Sequence, residues 1–162
     1  MLVAGTSNWG NIMGKYTLAA ALLVAASVQI ASAAGLCSIS DREAEQAVIF
    51  QTNLMVVSSA CRDQTYAQFR YRNKDAIIAY QHTMIAHFRR AGYRNATAEF
   101  DRWNTSLANQ IALKQGEIPT AQVCQQAASM LQMANTLDRK GLHDYAVAQA
   151  AKPGLDGHAM CR

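Results

Sequence analysis

The sequence predicts an all-α fold: an up-down four-helix bundle with short connecting and C-terminal helices and two disulfides. Three observations predict it. Apolar residues recur at three- and four-residue spacing along most of the chain. No stretch alternates apolar with β-branched residues between Asn-Gly or Asp-Gly turns, so a sheet has no support. Four cysteines occur without a Cys-x-x-Cys, the pattern of a disulfide framework rather than of a metal knuckle. Length and composition agree, since 162 residues make one domain, and 51% hydrophobic with 16% charged residues excludes a disordered chain and a multidomain enzyme.

The first segment is set apart from that domain. Residues 18–30 carry no charge, Lys15 precedes them and Ala31-Ser32-Ala33 follows. A basic start, a short apolar run and a small-x-small cleavage site are the physical requirements of a secretory signal. The run falls short of the roughly 20 residues that span a bilayer. Residues 1–33 are therefore predicted to be a signal peptide, and Met13, just before Lys15, is a more conventional start than Met1. Acylation of Cys37 is disfavoured, because Leu36 rather than a small residue precedes it. Residues 34–162 are predicted to form a single helical domain, periplasmic or secreted, with no transmembrane segment. Losing the leader takes one Lys from the 15 basic groups and none of the 11 acidic ones. Such a mild basic excess does not imply nucleic acid.

Helix by helix, Ser40 followed by Glu43 reads as a capping box, with Asp41 suited to the positive end of the dipole, so a first helix is expected over 40–61. It is apolar on much of its circumference, as a central helix is. A two-turn connecting helix follows over 63–72. Asn73 should cap the second long helix, which Gly92 stops in the left-handed region. The third runs from Ala96 to about Gln115 with Phe100, Trp103, Leu107 and Ile111 on one stripe, and Gly116 ends it. Pro119 opens the fourth, predicted to reach Gly141. A short helix over 142–151 and an irregular tail complete the chain.

That reading discriminates among the three possible cysteine pairings. Cys37 and Cys61 bracket a helix of about 20 residues and stand roughly 30 Å apart, against a limit of about 7 Å between bridged Cα atoms. In an up-down bundle Cys61 and Cys124 share one end and Cys37 and Cys161 the other. The nested pairing Cys37 to Cys161 and Cys61 to Cys124 is expected; the remaining option, Cys37 to Cys124 with Cys61 to Cys161, crosses the bundle lengthwise.

Residues 50–57 closed by Cys61, then Tyr66 and Phe69, the paired arginines of Phe88-Arg89-Arg90-Ala91-Gly92, the run over 101–109 and the late Cys124 carry a family likeness. On these motifs most of the mature chain resembles a group of small exported proteobacterial four-cysteine helical proteins of unknown function. The resemblance implies a helical fold and export. It implies no activity, ligand or catalytic residue.

Two kinds of binding chemistry can be read from the residues. Arg70, Tyr71, Arg72 and Lys74, with Tyr66 and Phe69, mix cationic and aromatic side chains in the way that recognises an acidic partner, an envelope component or a protein. A second basic cluster, Arg89, Arg90, Arg94 and Arg102, lies about 25 Å along the next helix, so the two do not form one patch. The alternative is a small periplasmic copper-type metal-binding protein using His82, His87, His143 and His158 with Met55, Met84, Met130, Met133 and Met160. His82 and His87 are five apart, about 140° around a helix, which opposes a shared metal. No metal site and no cofactor is therefore assigned. No haem-attachment, zinc-protease, nucleophile-elbow or phosphate-loop motif occurs, so no catalytic residue is assigned and a non-enzymatic binding or structural module of the envelope is expected.

Overall fold

The computed structural model describes residues 37–152, 160 and 161, all within the compact unit Ala31–Arg162. The predicted signal peptide, its cleavage site and His158 lie outside the described residues. Within them the fold is all-α, with α1 (Ile39–Cys61), α2 (Thr65–Arg72), α3 (Lys74–Arg90), α4 (Ala96–Gly116), α5 (Thr120–Thr136) and α6 (Arg139–Ala150).

Helix α1 is the hub. It packs against α2, α3, α4, α5 and α6, as its apolar circumference requires, and buries Ala44, Ala47, Val48, Phe50, Leu54 and Val57. Helix α6, expected only to close the chain, lies along α1 and brings Leu142 and Ala146 into the core with Phe50, Leu54, Phe69, Ile77 and Ala134. A second cluster joins Ala44 and Val48 of α1 to Met84, Phe88, Ala96 and Phe100. The cysteines pair as Cys37–Cys161 and Cys61–Cys124, so one bridge ties the start of α1 to the tail and the other its end to the first turns of α5.

Local chemistry sets most boundaries. Gly92 sits at φ +91 beyond α3, and the Asn95 side chain caps α4 by accepting from the Ala98 N–H at 3.1 Å. Pro119 stands at the N-cap of α5. Asn73 occupies the N-cap of α3 without a side-chain cap bond. Its buried Nδ2 donates instead to the carbonyls of Phe69 and Leu137, both at 3.0 Å.

Two expectations are corrected. The N-cap of α1 is Ser38, not Ser40. Its hydroxyl accepts from the Asp41 N–H at 3.1 Å and the Asp41 carboxylate accepts from the Ser38 N–H at 2.8 Å, a complete capping box two residues earlier. Gly141 does not end the fourth long helix. Helix α5 stops at Thr136, Leu137 is extended, and the Asp138 carboxylate accepts from the Gly141 N–H at 2.8 Å, placing Gly141 in the first turn of α6. A Cβ there would stand 3.0 Å from Leu137 Cδ2, so the small residue serves the close turn between the two helices.

Candidate functional site

Helices α1, α2, α3 and α4 leave a groove of about 620 Å³ on the surface. Its apolar wall is Met55, Ile77 and Ile78, with Tyr66 and Tyr71 on the α2 side. The Thr52 hydroxyl, donating at 2.9 Å to the Asn104 amide oxygen, joins α1 to α4 beside it. Arg70 and Lys74 are the charged residues of its lining, and no carboxylate lines it. Three of the four residues of the predicted anion cluster, Arg70, Tyr71 and Lys74, thus border one cavity, and Tyr71 is 87% exposed at its mouth.

Arg72 does not line that groove. Its guanidinium donates to the carbonyls of Ala134 and Asn135, at 2.8 and 3.0 Å. Those are among the last carbonyls of α5, where a helix carries partial negative charge and orphan acceptors. With Asn73 bonded to Leu137 O beside it, Arg72 clamps the α2–α3 elbow to the end of α5. The angular step of a helix explains the split: two residues on from Arg70, Arg72 points roughly 200° away.

The second basic cluster is spread among structural tasks. Arg90 reaches back to α1, placing one guanidinium nitrogen 2.6 and 2.7 Å from the two carboxylate oxygens of Asp41. Arg102 pairs with Glu99 one turn before it, and Arg89 and Arg94 are exposed. The candidate metal residues are dispersed as well: His82 is exposed, His143 lies 3.5 Å from the Tyr80 hydroxyl, Met84 is fully buried in the core, and Met130 and Met133 pack on the α1–α6 cluster.

A polar site that the sequence reading did not assemble lies at the other end of α1. Asp41, Glu45 and His87 are 0%, 1% and 2% exposed. His87 Nδ1 is 3.5 Å from Asp41 Oδ2 and 3.9 Å from Cys37 Sγ. The Glu45 carboxylate accepts from the backbone N–H groups of Met160 and Cys161, which fixes the tail beside the bridge. Asp41 and Glu45 are one turn apart on the buried face of α1. A pair of carboxylates on an otherwise apolar stripe demands partners from elsewhere in the chain, and that was the signal available.

Burial pushes the Asp41 carboxyl upward, but the Arg90 guanidinium and its contacts with Ser38 outweigh this and hold its pKa below 3.8. A carboxyl lowered by folding stabilises the native state above its unfolded pKa and loses that contribution as the pH falls through the folded value. Asp41→Asn is therefore expected to cost about 1–2 kcal/mol near pH 7, discounted because Arg90 is half-exposed. The difference from the parent protein should narrow as the pH falls below the ordinary carboxyl range, read by urea unfolding. A constant difference across that range would separate the loss from the charge of Asp41.

Comparison with protein-family models, curated proteins and solved structures finds no match.

Proposed function

We propose that the protein is an exported periplasmic helical protein that acts as a binding or structural interaction module of the cell envelope, taking an acidic partner in the groove bordered by Arg70, Tyr71 and Lys74. One observation carries this reading: a cavity large enough for several side chains or a small ligand, walled by Met55, Ile77 and Ile78, has Arg70 and Lys74 as its charged residues and no carboxylate in its lining. An anionic group would gain charge-assisted hydrogen bonds at the rim while an apolar portion is desolvated below. Tyr71 would stack over it, contributing area at little entropic cost.

Export is supported by the charge-free run and small-x-small site before residue 34, and by two disulfides of a kind that persist in oxidising compartments. No helix among the described residues is long and apolar enough to cross a membrane. The copper-type alternative built on methionine and histidine draws less support, because those side chains are divided between the core and separate surfaces.

The test is crosslinking in the native envelope followed by mass spectrometry, with the parent protein, Arg70→Ala/Lys74→Ala and Arg89→Ala/Arg94→Ala compared. The groove variant should lose the captured acidic component by ten-fold or more. The second variant, with the same loss of charge elsewhere, should keep it. Equal capture by all three would overturn the assignment to this groove.

A further inference from the structure

The geometry points to a redox-gated metal site: when the Cys37–Cys161 bridge is reduced, the two thiolates and the His87 imidazole bind one soft d10 metal ion of the Zn(II) or Cu(I) kind. The ligand atoms of Cys37, His87 and Cys161 all lie within 4.8 Å of one another. Among the described residues no other three His, Cys, Asp or Glu side chains converge in this way. The Cys61–Cys124 bridge therefore provides an internal control with the same sulfur chemistry and no such histidine.

Distances decide whether the site needs rearrangement. Around tetrahedral zinc, bonds of about 2.3 Å to sulfur and 2.0 Å to nitrogen put sulfurs about 3.8 Å apart and sulfur about 3.5 Å from nitrogen. His87 Nδ1 already stands 3.9 Å from Cys37 Sγ. Once the bond is gone the two sulfurs would move apart to that sulfur–sulfur spacing, and a Cα separation of 5.6 Å allows this by side-chain rotation. The imidazole is already desolvated, with 2% of its residue surface exposed. Its Nδ1 lies 3.5 Å from Asp41 Oδ2, an ion-pair distance longer than an ordinary N–H···O bond, so the Nδ1 lone pair can serve a metal when the ring proton sits on Nε2. Asp41, held by Arg90 and Ser38, would then stand beside the cation as a fixed negative charge that supports the ligand set.

The chemistry balances with a dithiol reductant. Its two thiols are oxidised to a disulfide, the Cys37–Cys161 bond breaks, and two protons pass to the cysteine sulfurs. On metal binding both protons are released to solvent and two metal–sulfur bonds and one metal–nitrogen bond form. Closure by the metal would also keep the tail against α1, where Glu45 receives the amides of Met160 and Cys161. With zinc, three protein ligands would leave one coordination position open to water.

The test titrates Cd(II), read by its thiolate charge-transfer absorbance, and Zn(II), read against a chromogenic chelator. The full chain is reduced with dithiothreitol and freed of it anaerobically. Reduced protein should take up one equivalent and oxidised protein none. Cys61→Ser/Cys124→Ser should retain the site, and His87→Gln should weaken it by ten-fold or more. In the parent protein Zn(II) should protect Cys37 and Cys161 from alkylation, mapped by peptide, and leave Cys61 and Cys124 reactive; this reading survives even if the serine variant fails to fold. Three results would each overturn the site: no uptake after reduction, uptake insensitive to His87→Gln as in an unfolded thiol-bearing chain, or equal protection of all four cysteines.

Discussion

Replacing Cys61 and Cys124 together by Ala is expected to lower stability by about 4 kcal/mol and Tm by roughly 10–15 °C. It should also cost more than removing Cys37 and Cys161. Chain-entropy reasoning alone predicts the reverse order, because the outer bridge closes a sequence separation of 124 residues and the inner one of 63. One doubling of loop length, however, is worth only about 0.6 kcal/mol. The native state decides the order instead. The inner bridge joins α1 and α5, which also share a core cluster through Phe50, Leu54 and Ala134, so the native side should regain little freedom and most of the unfolded-state entropy should appear as lost stability. The outer bridge holds a tail, in which Met160 and Cys161 touch the second core cluster and Glu45. Freeing that tail returns disorder to the native state and offsets part of the loss. Urea unfolding of the two double variants measures both, and a larger loss for the outer pair would show that the tail is integral to the core.

What could be read from the sequence follows from how far each determinant reaches. Gly92 and Pro119 act through their own backbone geometry, and the structure places them at helix ends. The apolar circumference of α1 identified a central helix because burial on every side is a property of that helix alone. The cap of α1 needed more. Ser38 with Asp41 and Ser40 with Glu43 both fit a capping box, and Arg90, 49 residues away, is bound to the carboxylate of the pair that forms. Likewise Arg70 and Arg72 are equivalent in a list of basic residues, yet only Arg70 borders the groove, since Arg72 is claimed by carbonyls 62 and 63 residues on. The His87 site was illegible for the same reason. It gathers the start of α1 and the end of α3 with a tail that the disulfide and Glu45 bring back, so no spacing within one segment announces it.

Phe69→Ala is expected to cost about 3–5 kcal/mol, and to loosen the α2 edge of the groove as well. Helix α2 has eight residues, too few to be stable as an isolated helix, so its structure depends on tertiary packing. Its N-cap Gln64 makes no side-chain cap bond, although the Asp63 carboxylate accepts from the Thr65 N–H at 2.6 Å. The packing is concentrated in one side chain: Phe69 is fully buried and meets Phe50 of α1 edge-on, with ring centroids 5.5 Å apart. Arg70 and Tyr71 follow directly, so the residue that anchors α2 also fixes the cationic edge of the groove. Truncation leaves a void between α1 and α2 that the Phe50 ring, also in contact with Tyr145 at 4.6 Å, cannot fill without giving up that contact. Phe69→Leu should recover most of the stability while exchanging the α2 amides faster than those of α6, because it restores volume but not the ring-edge contact. If hydrogen exchange in Phe69→Leu instead rises equally in α2 and α6, Phe69 holds the whole core, and the groove is not a separately tunable surface.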